Sequence, residues 1–235
     1  MELRDSKFFI WYYENASRVL QFVFGKKRQK EFYEWLFWKI KKIKEKQLTN
    51  HHYEEFFTKY FGFSSSDYEG KKIMDVGCGP RGSLEWANMA SERIGLDTLA
   101  DKYVKLEGKR HEMEYVQAGS ESIPFNDGYF DVVSSFNSLD HVDDLGQSIK
   151  EIIRVIKPGG YFLLISDIHS YPTICEPSAF SWNIIDEFTE GMEVLSENHY
   201  EGNLMYKSIR EGVKFDHANK QDRYGIITAL LRKKS

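Results

Sequence analysis

From residue 71 onward the chain alternates short apolar runs with amphipathic ones. Ile73-Met74-Asp75-Val76, Arg93-Ile94-Gly95-Leu96, Met113 to Gln117, Phe130 to Ser135 and Tyr161 to Ser166 read as five strands. Between them, Ser83 to Glu92, Thr98 to Leu106 and Leu145 to Ile156 predict helices, with Ser83 in an N-cap position. After Ser178 comes a helical stretch, then Met192 to Tyr200 and Tyr224 to Leu231 as two final strands. Strands alternating with helices predict βαβ units, and so a parallel sheet covered on both faces.

The first quarter follows a different pattern. Phe32, Trp35, Leu36, Ile40 and Ile43 fall at i, i+3, i+4, i+8 and i+11, the apolar stripe of an amphipathic helix. Tyr33, Phe37 and Trp38 add a second apolar side. Such a helix is expected to pack on the main domain with its lysines solvated, to cap a substrate pocket, or to rest on a membrane surface. The polar stretch Phe63-Ser64-Ser65-Ser66-Asp67 reads as a connection. It divides the chain into an aromatic, basic helical cap over 1–66 and a main domain over 67–235.

Composition sharpens that division. Residues 1–63 hold 18 of the chain's 36 aromatics, and residues 25–46 carry nine Lys or Arg against three Glu. The net charge of −4 over 235 residues leaves the remainder acidic, which argues against a wholesale nucleic-acid binder. Two cysteines, Cys78 and Cys175, exclude a disulfide scaffold and a four-cysteine zinc site. No basic stretch leads into an apolar run near Met1, and no run suits a membrane span, so a cytoplasmic location is expected.

The chemistry concentrates in Lys72-Ile73-Met74-Asp75-Val76-Gly77-Cys78-Gly79-Pro80-Arg81-Gly82, a strand entering a glycine-rich turn. Glycine lets the backbone turn sharply and approach a ligand without a Cβ in the way. By itself Gly77-x-Gly79-x-x-Gly82 matches a dinucleotide turn, or a tight turn with no ligand. Asp75, two residues before Gly77, suits a cationic ligand better than a pyrophosphate. Asp97 ends the second strand, 22 residues after Asp75, where a carboxylate can accept both ribose hydroxyls. Ala118-Gly119-Ser120-Glu121-Ser122-Ile123-Pro124-Phe125 follows the third strand, and Phe130-Asp131-Val132-Val133 opens the fourth.

With these motifs, residues 70 to 168 resemble a class I S-adenosylmethionine-dependent methyltransferase of the type 11 small-molecule subgroup. The resemblance implies an α/β, Rossmann-like seven-stranded methyltransferase sheet, last strand antiparallel, here with an N-terminal helical cap. It implies that Asp75, Gly77, Cys78 and Gly79 meet the methionine part of the cofactor and Asp97 the ribose. Gly119, Ser120 and Glu121 take the adenine, and Asn137 lines the methyl-donor end. Lys157-Pro158-Gly159-Gly160 is a further family mark. Two positions depart from the pattern: Arg81 stands where the family has a third glycine, and Gly119 where an Asp is common.

The implied activity is methyl transfer to a small or medium-sized acceptor, with oxygen the expected atom and a biosynthetic intermediate or sugar the expected class. A histidine then serves as general base. His141 in Asn137-Ser138-Leu139-Asp140-His141-Val142-Asp143-Asp144 leaves the carboxyl end of the fourth strand, with Asp140 or Asp143 to orient it. The alternative for His141 is a packing or helix-capping role. Asp167 and His169 form a second pair, and His51, His52 and Tyr53 enter the site if the N-terminal segment closes. No metal is expected, since His141, Asp140, Asp167 and His169 lack a tight ligand spacing. Aromatic walls are expected from 1–63 and from Ile168 to Trp182, with Tyr171, Pro172, Phe180 and Trp182. A homodimer is compatible with the chain. Rival readings are an RNA or protein methyltransferase, a non-catalytic partner protein of the same fold, and a nicotinamide oxidoreductase.

Overall fold

The structure, a computed structural model, describes residues 26–107, 110–169, 171, 178–202 and 207–235. Cys175, Pro172 and residues 1–25 of the expected cap lie outside the described residues. The chain divides into two compact units, Met1–Lys46 and Gln47–Ser235.

In the first unit, α1 spans Lys26–Glu45, ending in a turn with basic Lys42 and Lys44 that suits the negative end of the helix. Its 20 residues make a rod about 30 Å long.

The second unit is built on seven strands: β1 (Lys72–Val76), β2 (Glu92–Asp97), β3 (Glu114–Gln117), β4 (Phe130–Phe136), β5 (Ile156–Ile168), β6 (Met192–Glu201) and β7 (Gly225–Lys233). They form one sheet in the order β3-β2-β1-β4-β5-β7-β6. The pairs among β1 to β5 are parallel, and β7 runs antiparallel to both β5 and β6. The chain reverses direction across the sheet between β1 and β4, so the carboxyl ends of β1, β2 and β4 face one crevice.

Both faces of the sheet are buried, which explains why the central strands read as unbroken apolar runs. On one face Phe162, Leu164, Ile227, Ala229 and Leu231 pack with Ile149, Ile152 and Val155 of α4 (Leu145–Val155). Asp144 caps that helix by accepting the Gln147 N–H at 2.9 Å. On the other face Leu163, Ile165, Ile226 and Leu230 pack with Phe56, Phe57, Phe61 and Tyr68. Residues 47–66, grouped by sequence with the N-terminal segment, therefore supply part of the main unit's core. The short helix α2 (Tyr53–Phe57) carries two of these phenylalanines.

One local element differs outright from expectation, and others are refined in type or bounds. Residues 83–91 form successive turns where a helix was expected, with Glu85 N–H to Gly82 C=O, Ala87 to Leu84 and Ala90 to Ala87. Ser83 does not cap a helix; its hydroxyl donates to Asp75 Oδ2 at 2.5 Å. Glu85 in turn accepts the Glu112 and Met113 N–H groups, so both side chains near the start of the segment are tied to β1 and to the approach to β3. The stretch after Ser178 is a 3-10 helix over Trp182–Phe188, and a short helix, α5 (Lys207–Glu211), precedes β7. The helix expected over Thr98 to Leu106 is α3 (Ala100–Glu107). The Lys157-Pro158-Gly159-Gly160 turn is a register shift within β5, between the Phe130–Ile156 and Val132–Tyr161 pairs.

Candidate cofactor and acceptor site

At the carboxyl end of β1, Gly77 and Gly79 adopt left-handed backbone with φ of 73° and 57°. A Cβ at Gly77 would lie 2.1 Å from Ser138 Cβ, so only glycine fits. Ser138 closes the turn from the β4 side, its hydroxyl reaching Val76 C=O at 2.7 Å and Ser135 Oγ at 2.6 Å. Cys78 is buried against Gly95 and Met113, and burial pushes its thiol well above the usual range, so it packs rather than reacts.

Two carboxylates flank this turn. Asp75 is buried inside β1, and its two oxygens accept Ser134 Oγ at 2.6 Å and Ser83 Oγ. Burial pushes its pKa up to about 6 despite those hydrogen bonds. Asp97 is half-buried at the end of β2, where Oδ2 accepts the Gly79 N–H at 3.2 Å and Oδ1 the Leu99 N–H at 2.9 Å. Its pKa is likewise raised to about 6, by burial first and by Asp75 as a smaller cause. A carboxylate has about four lone-pair directions, and the backbone takes two of them here. Two remain for a diol.

Asn137 stands one residue past β4 and is the only non-glycine besides Lys46 with positive φ, at 50°, among the described residues. Asn tolerates that conformation better than most side chains. Its Oδ1 is buried with no hydrogen-bond partner, a state that costs about 1–3 kcal/mol unless a ligand supplies a donor.

The residues expected to hold the adenine are engaged with their neighbours. Ser120 is buried, and its hydroxyl bonds Ser148 at 2.8 Å. Glu121 accepts the Asp143 N–H at 3.0 Å, which ties the β3–β4 connection to the loop before α4. Gly119 lies beside Thr98, just past Asp97.

Residues 48–53 lie along the glycine turn. Arg81 Nη1 donates to Thr49 C=O at 3.0 Å, Asn50 to Gly82 C=O at 3.4 Å, and Arg110 to Leu48 C=O at 2.9 Å. Burial and the Asp75 charge raise the Tyr53 hydroxyl, whereas burial and Arg81 lower the His52 ring. Arg81, the departure from the glycine pattern, is thus a strut between the turn and the segment that covers it. Tyr53 belongs to the main unit rather than to the N-terminal one.

Along the β4 and β5 ends, His141 sits in a 3-10 turn (Leu139–His141), its Nε2 3.7 Å from Oδ1 of buried Asp140. That is an ion-pair distance rather than a hydrogen bond. His169 is buried past β5, its Nδ1 2.6 Å from Tyr171 C=O and its ring 5.5 Å from Tyr224. Among the described residues no three His, Cys, Asp or Glu side chains gather as a metal-binding group.

The β6 end holds a cluster that sequence reasoning missed apart from Trp182. The Trp182 ring stacks on His199 at 4.2 Å, His199 Nδ1 meets His217 Nε2 at 2.9 Å, and His199 Nε2 meets Glu197 at 2.6 Å. The alternation Glu197-x-His199 on one strand face was a legible signal, but His217 comes from a later loop.

Residues 74–164 match a family model described as a methyltransferase domain. That segment, from β1 into β5, is what the chain shares with methyltransferase domains. It is 32% identical over 128 residues to tocopherol O-methyltransferase of Arabidopsis thaliana, covering 50% of this chain and 36% of that protein. It is 34% identical over 102 residues to a sterol 24-C-methyltransferase of Aspergillus fumigatus, covering 40% and 27%. The chain thus spans about a third of the length of these curated relatives. A solved N-methyltransferase of Bradyrhizobium japonicum, in complex with S-adenosylhomocysteine, shares the fold with a TM-score of 0.54 at 12% identity, over 75% of this chain and 85% of that one. The seven-stranded methyltransferase sheet with its antiparallel last strand is the architecture of this chain.

Proposed function

We propose that this chain binds S-adenosylmethionine at the β1–β2 crevice and transfers its methyl group to a small or medium-sized, largely apolar acceptor. The observation that carries the reading is Asp97, held by Gly79 and Leu99 with two lone-pair directions left over, beside a turn where Gly77 admits no side chain. A ribose diol fits the first feature, and a ligand pressed onto bare backbone fits the second.

The bound cofactor supplies an already electrophilic methyl group. What the protein must add is alignment of acceptor and methyl, which can contribute several kcal/mol. In this reading Asp97 accepts the ribose hydroxyls, and Asn137 Oδ1 takes an N–H from the amino-acid end near the methyl group. Asp75, fixed by Ser83 and Ser134, keeps negative charge behind the turn, where it favours a sulfonium-bearing ligand over a pyrophosphate. Adenine recognition falls to the backbone around Gly119 and to residues 98–99, because Ser120 and Glu121 are committed elsewhere.

His141 is the base for a hydroxyl acceptor, with Asp140 Oδ1 3.7 Å from its Nε2 to orient the ring. His169 is the second candidate. Trp182, His199 and Phe215 form an aromatic wall further along the edge, a surface suited to an apolar acceptor. The names of the two relatives, one an O-methyltransferase and one a C-methyltransferase, support a lipophilic acceptor without favouring oxygen over carbon.

Calorimetric titration with S-adenosylhomocysteine tests the cofactor half of this reading, and a tritium-methyl transfer screen over phenolic, sterol and fatty-acyl acceptors tests the other. Binding with no transfer to any acceptor, alongside intact His141, would favour a partner protein of the same fold.

A further inference from the structure

One strip of α1 faces solvent from end to end, and Phe37, 41% exposed, stands by itself on the opposite side. Arg28, Phe32, Trp35, Lys39 and Ile43 follow one another at steps of four, three, four and four, which keeps them on a single face. Arg28 and Lys39 are exposed, Trp35 is half-buried, and the exposed large side chains of the helix include Phe32 at 45% and Ile43 at 70%. The strip is ordered along its length. The Phe32 and Trp35 rings lie 6.3 Å apart, and Lys39 Nζ stands 4.8 Å over the Trp35 ring.

A purely solvated helix face has no reason to present Phe, Trp and Ile in line, and a face packed only on protein would not interleave them with Arg and Lys. The mixture suits a boundary where one side is hydrocarbon and the other is negatively charged water. Phe32 and Ile43 bury their side chains, and Trp35 takes the headgroup level, which its ring prefers. Arg28 and Lys39 extend their stems along the apolar layer and keep their charges outside it. The wider helix adds charge of the same sign, with nine Lys or Arg against three Glu over residues 25–46. No described helix is long and apolar enough to cross a membrane. A helix of this kind lies in the surface rather than through it.

We propose that the Arg28–Phe32–Trp35–Lys39–Ile43 face of α1 is an interfacial membrane helix that seats the protein on an anionic lipid surface. The inference is independent of the methyl-transfer reading, because it needs neither cofactor nor acceptor.

Co-sedimentation of the full chain with vesicles tests it, using phosphatidylcholine alone and phosphatidylcholine mixed with phosphatidylglycerol, at low and high salt. The proposal expects binding to the mixed vesicles, weakened by salt and by loss of the anionic lipid. Two paired variants separate its parts: Phe32→Ser with Ile43→Ser, and Arg28→Glu with Lys39→Glu. Each pair is expected to lower partitioning about tenfold or more, with the thermal midpoint and S-adenosylhomocysteine binding unchanged. Absence of vesicle binding would overturn the proposal, and so would full binding by the serine pair. A single-stranded RNA homopolymer bound as tightly as the mixed vesicles, and insensitive to the serine pair, would show a general polyanion surface and overturn it too.

Discussion

Around the β1–β2 turn, polar side chains are anchored by neighbours that leave them little freedom. Asp75 is gripped by two serines, Asp97 by two backbone amides, and Gly77 by the close approach of Ser138. At the β4 end the hold is looser, with His141 Nε2 3.7 Å from Asp140, whereas His169 and His199 further along the edge make contacts of 2.6–2.9 Å with Tyr171, Glu197 and His217. The first region is built to receive one fixed shape. The second is a row of rings and imidazoles, on which the proposed acceptor would rest.

The contrast can be broken most sharply at Gly77. Gly77→Val puts a branched side chain where φ is 73° and Ser138 already occupies the space. We expect a loss of about 3 kcal/mol or more in stability, read by urea unfolding, and loss of S-adenosylhomocysteine binding.

On the looser side, His141→Gln should leave cofactor affinity unchanged and lower kcat about 100-fold for a hydroxyl acceptor. Steady-state kinetics on whichever acceptor turns over checks this. A drop of less than twofold would assign His141 to packing.

Protonation of the two carboxylates separates stability from cofactor affinity by sign. Asp75 and Asp97 hold protons up to about pH 6 in the folded protein, against 3.8 as the ordinary value expected on unfolding. Between those values the native state binds more protons than the unfolded chain, so stability falls as pH rises from 4 towards 6. Cofactor affinity should move the other way. If ionised Asp97 accepts the ribose, affinity is flat above pH 7 and falls about tenfold per unit below 6. Asp97→Asn should flatten that slope, whereas His141→Gln should not.

The smallest expected effect is at Asn137. Removing its buried, partnerless carbonyl by Asn137→Ala should weaken cofactor binding about five- to tenfold. The same change should cost the unliganded protein about 1 kcal/mol, read by urea unfolding, since Ala is less at ease than Asn at a φ of 50°.

The strands, their parallel pairing and the glycine turn were legible because both-face burial leaves long apolar runs and because the turn needs glycine. Asp97 was legible from its spacing. The missing helix after the turn was not, since Ser83 to Glu92 has ordinary helical character; the ties of Ser83 to Asp75 and of Glu85 to the Glu112 and Met113 amides reach outside the segment. The boundary of the aromatic segment was blurred for a similar reason. Phe56, Phe57 and Phe61 look like more of the same aromatic stretch, but they cover a sheet face whose demand is visible only in three dimensions. The engagement of Ser120 and Glu121, the left-handed Asn137 and the His199–His217 pair all depend on partners far away in sequence.

The central claim is that the β1–β2 crevice is a cofactor site built on Asp97. Its most direct test is calorimetric titration with S-adenosylhomocysteine and with NAD, on the intact chain and on Asp97→Ala at pH above 7. The account predicts micromolar binding of the first ligand, none of the second, and a loss of about 100-fold or more in the variant. A folded protein that binds neither ligand, or binds S-adenosylhomocysteine equally well without Asp97, would contradict it.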